Sequence, residues 1–532
     1  MDNSGWKPPA SAVFRPLSAV LVLLAGLALW VWSCSLDQRP MHNDEAVNGI
    51  KFGQLWDHGG YKYDPNEHHG PSLYYATLAL GRLTRAPTDF DAFTEARLRF
   101  TTVLFGVGLI LLLPLVADGL GGRAIIWAGL FTAVSPAVVF YSRYYIHEVL
   151  LVCFTFLALA AGWRYWRSRK LGWALLAGTG VGLMHTTKET FVITLAAAAL
   201  ALGLNRLWRH WLDAATAPDT YPPHVNLRHL AAGFAVWLGV ALILFSSFFT
   251  NAAGPLDSVH TYFPWLHRVE GASPHIHPWY FYLHRLLFFH AAKGPVWSEA
   301  LILVLAAMGA WAAFARKGLA DANASLVRFL ALYATGLAAA YSLIPYKTPW
   351  CLLGFWHGMI LLAGVGAACL IDRARPRFLR FGLVLLLVAG AGHLAWQARL
   401  ANTTYAADQR NPYVYAQTSP DLLNLVHRVE ALSREHPQCR NMLVKVMAPE
   451  SDYWPLPWYL RNLQQVGWWD QVPADPYAPV MIVSAQFHAA LDEKKTHVMV
   501  GYFQLRPQVF LELYVDLKLW QDYLAKNPPK PE

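Results

Sequence analysis

Charged residues are few in this 532-residue chain, and their scarcity excludes most soluble protein classes. Asp, Glu, Lys and Arg make up 14% of the residues, whereas 55% are hydrophobic. A soluble domain carries about 25% charged residues. The charges lie between long apolar blocks rather than along helix faces, which is typical of helices surrounded by lipid. The net charge of +9 therefore belongs to the connections between spans, and no nucleic-acid partner is expected.

Cysteine is also scarce: the chain has five, with no CxxC pair, which argues against a metal-thiolate site. Three of them lie inside apolar blocks, where a thiol behaves as a small hydrophobe: Cys153, Cys351 and Cys369. A disulfide between Cys34 and Cys439 is a weak alternative, because nothing in their spacing links them. A small-residue cleavage pattern is missing after the first apolar block, 17–32, so we interpret that block as a retained helix rather than a signal peptide.

The apolar blocks predict about eleven transmembrane helices. They cover residues 17–32, 100–116, 124–140, 149–163, 171–187, 190–204, 230–250, 300–315, 329–344, 350–371 and 381–396. Several blocks are shorter than about 20 residues and need flanking aromatic residues to cross the bilayer. A further apolar stretch, 74–83, is short and followed by Arg85 and Pro87, which predicts a helix lying at the membrane surface.

The distribution of Lys and Arg predicts the orientation. The segments that would share a side with the N-terminus are rich in basic residues: Lys7 and Arg15; Arg123; Arg164, Arg167, Arg169 and Lys170; Arg206, Arg209 and Arg228; Arg316, Lys317 and Arg328; Arg373, Arg375, Arg377 and Arg380. We therefore predict a multi-pass protein of the cell (inner) membrane with a cytoplasmic N-terminus. The opposite, extracytoplasmic side receives two long loops, 35–91 and 251–298, and the C-terminal tail.

After Gln397 the composition changes to that of a soluble domain, so we divide the chain into residues 1–397 and 398–532. Ser419 can cap a helix that begins at Pro420. Four short runs rich in β-forming residues follow: 442–447, 480–484, 498–503 and 510–515. The predicted architecture is an α-helical polytopic membrane protein with a small extracytoplasmic α/β domain.

Four ionisable clusters fall on the predicted outer side. They contain His42, Asp44 and Glu45; Arg143, Tyr144, His147 and Glu148; Thr187 and Lys188; and Tyr346 and Lys347. Each cluster alone has a plain structural interpretation: a solvated loop acid, an Arg–Glu pair between helix ends, or a Lys anchored at the interface. Four of them on one side are harder to explain in this way, because the connections opposite are mainly basic.

Moving a sugar from a phosphate carrier to a hydroxyl requires a carboxylate that accepts the proton and cations that hold the departing phosphate. Asp44 suits the first task. Arg143, Lys188 and Lys347 suit the second. Inversion in a single displacement needs one base, so Glu45 or Glu148 would support Asp44, orient the acceptor or hold a cation. The candidate substrate contacts are His42, Tyr144, His147 and Tyr346.

Five stretches carry a resemblance to a known group: NDEAVNG, YDPNEHHGPSLYY, SRYYIHE, PYKTPWCLL and NPYVYAQTSPD. Together they resemble the GT-C glycosyltransferases, among them protein O-mannosyltransferases and lipid A aminoarabinose transferases. They are more similar still to a bacterial and archaeal family named flippase activity-associated proteins. Glu148 stands where many relatives have Asp. The resemblance implies a GT-C membrane fold and a lipid-phosphate sugar donor.

The leading hypothesis is a membrane glycosyltransferase that moves a hexosyl or pentosyl group from a polyprenyl-phosphate donor to a hydroxyl of a glycan, lipid or protein. No nucleotide cofactor is expected. A divalent cation stays an open alternative, since His275 and His277 form a His-x-His pair without a third ligand marked by spacing. A flippase component or transporter is the second hypothesis, although transporters place polar groups near the bilayer midplane rather than at one edge. A non-catalytic scaffold with an outer sensing domain is the third.

Overall fold

The fold is described from a computed structural model covering residues 11–66, 69–213, 226–267, 273, 275–319 and 321–528. Lys7, one of the predicted cytoplasmic residues, and the last four residues of the predicted C-terminal domain lie outside this description.

The first half of the chain is helical. Its helices are α1 (Ser11–Ser33), α2 (Asn43–His58), α3 (Ser72–Leu83), α4 (Glu95–Leu112), α5 (Ala117–Leu120), α6 (Gly122–Val134), α7 (Pro136–Ser142), α8 (Glu148–Ser168), α9 (Leu171–His185) and α10 (Phe191–Trp208). The stretch predicted to lie at the membrane surface forms part of α3.

The middle of the chain adds more helices and a short two-stranded antiparallel ribbon. The helices are α11 (Leu227–Phe245), α12 (Gly254–His260), α13 (Tyr262–His267), α14 (Phe281–Leu287), α15 (Ala300–Ala315), α16 (Ala324–Leu343), α17 (Leu353–Arg373) and α18 (Arg377–Asn402). The ribbon consists of β1 (Phe289–His290) and β2 (Val296–Trp297).

Within the described residues, seven helices are long and apolar enough to cross a membrane, and the bent pair α6–α7 would make an eighth. The apolar helices α9 and α15 and the Leu17–Ser33 part of α1 are shorter. Each of the eleven predicted apolar blocks overlaps one of these helices or the bent pair, so the prediction of an α-helical membrane protein is confirmed.

The block predicted as one span over 124–140 is bent by 59° between α6 and α7. The bend falls at Ser135 and Pro136, because proline has no N–H to continue the helix ladder. The Ser135 side chain caps α7 by accepting a hydrogen bond from the N–H of Val138 at 3.4 Å. The new direction leads the chain into residues 143–147, which carry one of the predicted ionisable clusters.

The C-terminal part is a five-stranded sheet with helices. In chain order its elements are α19 (Asp421–Glu435), β3 (Val444–Met447), α20 (Leu456–Tyr459), β4 (Val466–Trp469), β5 (Val480–Ser484), β6 (His497–Arg506), β7 (Val509–Asp516) and α21 (Leu517–Lys526). The strand order is β4-β3-β5-β7-β6, with β3 parallel to both neighbours and β7 antiparallel to both of its own. The predicted α/β domain is confirmed, with β4 as an additional strand.

The sheet domain packs against the segment that precedes α2. Thr418 donates to the carbonyl of Met41 at 2.7 Å, and the Tyr459 hydroxyl accepts from the N–H of Met41 at 2.8 Å. Trp458 is buried in the same hydrophobic cluster as residues of α2, α3 and α8. The start of α2 and the C-terminal domain therefore lie at the same end of the helix bundle. The helix α18 continues through the predicted domain boundary at Gln397 as far as Asn402.

Candidate functional site

The start of α2 holds Asp44 in a defined position. The Nδ1 atom of His42 accepts a hydrogen bond from the N–H of Asp44 at 3.1 Å, while the Glu45 carboxylate accepts from the N–H of His42 at 3.0 Å. This reciprocal pair is a capping box, which fixes the first turn. Nε2 of His42 donates to the carbonyl of Tyr415 at 3.0 Å, so the ring is a neutral tautomer, and burial lowers its pKa.

The Asp44 side chain is 47% exposed and lines a cleft. Among the described residues its carboxylate accepts no hydrogen bond, and the nearest basic atom is Nδ1 of His42 at 4.0 Å. The oxygens of the Asp44 carboxylate are therefore available in the cleft.

Glu45 has the opposite environment, since its side chain is fully buried. Its carboxylate is 2.8 Å from Nε of Arg99 and 3.0 Å from Nη2 of Arg39, and it accepts from the N–H of Tyr145 at 2.9 Å. Burial alone would raise the pKa of Glu45, but the two guanidinium groups outweigh burial and hold the pKa at about 2. The structure thus places Glu45 in a buried ion cluster that joins α2 to α4 and to residue 145.

Arg143 and Tyr144 also lie outside the cleft lining. The Arg143 guanidinium donates to the carbonyls of Trp32 and Cys34, both at 2.8 Å, and so binds the end of α1. The Tyr144 hydroxyl donates to Gln417, and its ring lies under the Arg39 guanidinium at 3.8 Å. Both residues connect the segment before α8 to its surroundings.

Cys34 and Cys439, considered above as a possible disulfide, are both exposed and have free thiols.

One wall of the cleft contains a buried ion pair between Lys188 and Glu148. Burial alone would lower the pKa of Lys188, but the Glu148 carboxylate raises it above the usual value. Beside this pair, Glu189 is 2.9 Å from Nδ1 of His69. Burial would raise the pKa of Glu189, yet His69 and Lys188 hold it at about 2. The wall therefore carries alternating charges from three parts of the chain.

His147 also lines the cleft, and its side chain is fully buried. Its Nε2 atom donates to the carbonyl of Gly70 at 3.0 Å, and burial lowers its pKa well below the usual value, so the ring is neutral. Gly70 in turn donates its N–H to the carbonyl of Thr187 at 3.1 Å. His147 thus joins the segment that carries His69 to the start of α8, and Gly70 joins the same segment to the end of α9.

The fourth cluster borders the cleft from the side of α16. Tyr346 lines the cleft and pairs with Ile276 in an isolated β-bridge. Nζ of Lys347 donates to the carbonyl of His277 at 2.9 Å and to that of Ile344. Lys347 has no acidic partner within the described residues, so its charge is not neutralised.

The cleft encloses about 1250 Å³ of open space including its mouth. It brings together five of the ten residues proposed from sequence: Asp44, His147, Glu148, Lys188 and Tyr346. The other five lie behind or beside it: His42, Glu45, Arg143, Tyr144 and Lys347. From the charged wall the cleft extends to Ile193 of α10 and to Tyr341 and Ile344 at the end of α16, so it has an apolar side formed by membrane helices.

Two residues of the wall were not selected from sequence, His69 and Glu189. Glu189 directly follows Lys188, which is a local signal, but the pairing with His69 spans 120 residues and leaves no mark in sequence spacing. Arg99 was missed for the same reason, since it lies 54 residues from its partner Glu45. Arg39, also not selected, is only six residues from Glu45. Within the described ranges there is no group of three or more His, Cys, Asp or Glu side chains that could hold a metal. His275 and His277 instead contact the hydroxyl of Tyr415, at 2.5 and 3.3 Å.

Comparisons with known proteins agree with this architecture. Residues 84–217 match the family described as dolichyl-phosphate-mannose-protein mannosyltransferase. No curated protein matches the chain in sequence.

Solved structures match over nearly the whole chain. ArnT from Cupriavidus metallidurans in the apo state is 16% identical, with a TM-score of 0.62 over 92% of this chain and 97% of that one. The same protein bound to undecaprenyl phosphate gives 15% identity and a TM-score of 0.60 over 94% and 98%. The apo oligosaccharyltransferase from Archaeoglobus fulgidus gives 12% and 0.52 over 87% and 64%. The chain is therefore a membrane protein with the GT-C fold, as its sequence predicted.

Proposed function

We propose that this protein is a membrane glycosyltransferase that moves a sugar from a polyprenyl-phosphate donor to an acceptor hydroxyl, with inversion. The proposal rests on the cleft, in which the Asp44 carboxylate accepts no hydrogen bond from the described residues and lines the same space as the buried Lys188–Glu148 pair. The same cleft reaches membrane helices. Undecaprenyl phosphate is bound by ArnT, which has the same fold.

Asp44 is the proposed general base. A carboxylate that receives no other hydrogen bond is free to accept the proton of an attacking hydroxyl in the cleft. Its exposure lets the acceptor approach, and the capping by His42 fixes the backbone from which it projects. Glu45 and Arg143 then act as positioning residues, because their partners hold the first turn of α2 and the end of α1 in place.

Lys188 and Lys347 are the proposed cations for the departing phosphate. The two lysines differ in their surroundings. Lys188 lines the cleft together with the carboxylates of Asp44, Glu148 and Glu189, and it is paired with Glu148. Lys347 is bonded only to neutral carbonyls and follows Tyr346 at the cleft edge. Its charge is therefore available for a phosphate oxygen. Because the described residues contain no group of three or more His, Cys, Asp or Glu side chains for a divalent cation, the proposal assigns the positive charge to the lysines. No nucleotide cofactor is required.

The apolar side of the cleft, with Ile193, Tyr341 and Ile344, is the proposed entry for the donor's lipid chain. His147 and Tyr346 also line this cleft. We further propose that this end of the bundle is extracytoplasmic and the N-terminus cytoplasmic, with the domain after residue 397 outside, as the distribution of Lys and Arg predicts. Glycan, lipid and protein acceptors all present the hydroxyl that this chemistry needs.

The test is purified protein in detergent incubated with a panel of polyprenyl-phosphate sugars and candidate acceptors. We expect one donor to release free polyprenyl phosphate together with glycosylated acceptor. A protein that binds these donors, releases no carrier phosphate and instead moves them across liposome membranes would be a flippase, and the glycosyltransferase proposal would be wrong.

A further inference from the structure

A second pocket lies on the lipid-facing surface of the bundle, far along the helices from the charged cleft. It is lined by side chains from one face of α15, namely Val304, Ala307, Met308, Trp311 and Ala312, and by Cys369 of α17. The space encloses about 730 Å³ and is almost entirely apolar. Because α15 starts beside Glu299 at the cleft end and runs to Ala315, this groove approaches the opposite end of the membrane helices.

One charged side chain closes the groove. Arg373, the last residue of α17, lines it and places its guanidinium 4.7 Å from the centre of the Trp311 ring. The stacking fixes the position of the cation. Arg373 makes no ion pair within the described residues, whereas the adjacent Asp372 is paired with Arg123. An unneutralised guanidinium thus stands at the end of an apolar groove.

This combination matches the two parts of an anionic phospholipid. An acyl chain fits the apolar face of α15, where the small side chain of Ala307 leaves room. The phosphate meets the Arg373 guanidinium, which can donate two parallel hydrogen bonds to phosphate oxygens. Basic side chains between transmembrane helices near a membrane surface favour such head groups.

We propose that the groove between α15 and α17 is a binding site for an anionic phospholipid, with Arg373 on the phosphate and an acyl chain along Ala307 and Trp311. The site is separate from the proposed catalytic cleft, and it does not depend on the proposed function. A zwitterionic lipid fills the groove equally well but places an ammonium group beside the guanidinium, so the charge provides the selectivity.

The test is native mass spectrometry of the delipidated full-length protein with equal amounts of phosphatidylglycerol and phosphatidylcholine. We expect preferential retention of phosphatidylglycerol by the wild type. Arg373→Gln should weaken that binding by about tenfold, the scale of one lost charge-assisted phosphate contact. Arg375→Gln, two residues on and outside the groove lining, is the matched control and should bind as the wild type does.

A second variant tests the groove itself. Ala307 faces outward, so Ala307→Phe should fold normally while filling the acyl-chain position, and it should also weaken phosphatidylglycerol binding. Equal binding of the two lipids by the wild type would overturn the proposal. So would equal losses in the Arg373 and Arg375 variants, which would indicate general surface charge, or unchanged binding by Ala307→Phe.

Discussion

The Glu45 carboxylate is held by Arg39, Arg99 and two backbone N–H groups, whereas its neighbour Asp44 accepts no hydrogen bond in the described residues. The sequence shows two adjacent acids and predicts that both serve one site. It cannot separate them, because the distinction comes from Arg99, which is 54 residues away. The side chain that lacks a partner is the one that remains available for chemistry.

This ion cluster predicts how stability depends on pH. The pKa of Glu45 falls from 4.5 to about 2 in the folded protein, so its ion pairs stabilise the fold above pH 4.5 and are lost as the pH falls towards 2. The pKa of Glu189 is also lowered from 4.5 to about 2, so its contribution to stability is lost over the same pH range. Glu45→Gln should lower stability at neutral pH, on the order of 3–5 kcal/mol, because it leaves Arg39 and Arg99 buried without a carboxylate.

The measurement is the thermal unfolding midpoint in detergent between pH 2 and 6. Glu45→Gln should show a smaller loss on acidification than the wild type. Asp44→Asn is the control and should follow the wild-type curve, because Asp44 has no arginine partner. If the unfolding midpoint of Glu45→Gln depended on pH in the same way as that of the wild type, the ion-cluster interpretation would be contradicted.

Lys188 offers a second prediction at this scale. An interfacial lysine would be replaced with little effect on folding, but Lys188 and Glu148 are both almost completely buried. Lys188→Met should therefore lower stability by about 3–5 kcal/mol, since Glu148 keeps a buried charge without its partner. The double variant Glu148→Gln/Lys188→Met should recover much of this loss. Lys62→Met, at an exposed lysine, is the control, and thermal unfolding in detergent is the measurement.

At the scale of elements, apolar length determines most of what the sequence predicts. The eleven blocks are helical because long apolar segments have no other way to satisfy their backbone groups in lipid. The bend at Pro136 was not predicted, because hydropathy averages over it. Strand β4 was missed because it has only four residues and contains Gly467, and its pairing with β3 joins segments about 20 residues apart.

A prediction at this scale concerns the contact between residue 70 and the end of α9. A Cβ at Gly70 would lie 2.2 Å from the carbonyl oxygen of Thr186, which is backbone and cannot move aside. Gly70→Ala should displace the segment that carries His69 and supports His147, and so lower both stability and transfer activity. Gly60→Ala, with no neighbour within 4 Å, should change neither. Thermal unfolding and the donor-turnover assay measure the two effects, and equal behaviour of the variants would refute this role of the contact.

At the scale of the whole molecule, the C-terminal domain and the cleft belong to one end of the bundle. The segment before α19 contacts both the loop before α2 and Tyr144, so the domain helps to position Asp44, the proposed base. The GT-C fold was predictable because its sequence motifs recur in order along the chain. The contacts between the C-terminal domain and the loop before α2 were not predictable from sequence, because they join distant residues. Thr418 and Met41, for example, are 377 residues apart.

The orientation is tested by reporter fusions. A reporter at Arg169, in the loop between α8 and α9, should give a cytoplasmic signal, and a reporter at Glu532 should give an extracytoplasmic signal. The expected difference follows from the basic residues around Arg169. Matching signals would contradict the proposed orientation and move the cleft to the other membrane face.

Turnover by Asp44→Asn shows whether Asp44 is the base of the proposed glycosyl transfer. The substitution keeps the size of the side chain but removes the basic oxygen, so turnover should fall by about 10² to 10⁴. Donor affinity, measured separately by equilibrium binding, should change little, because the lost interaction belongs to the transition state. Full transfer activity in Asp44→Asn would contradict the account, and loss of activity in Glu148→Gln alone would assign the base to Glu148.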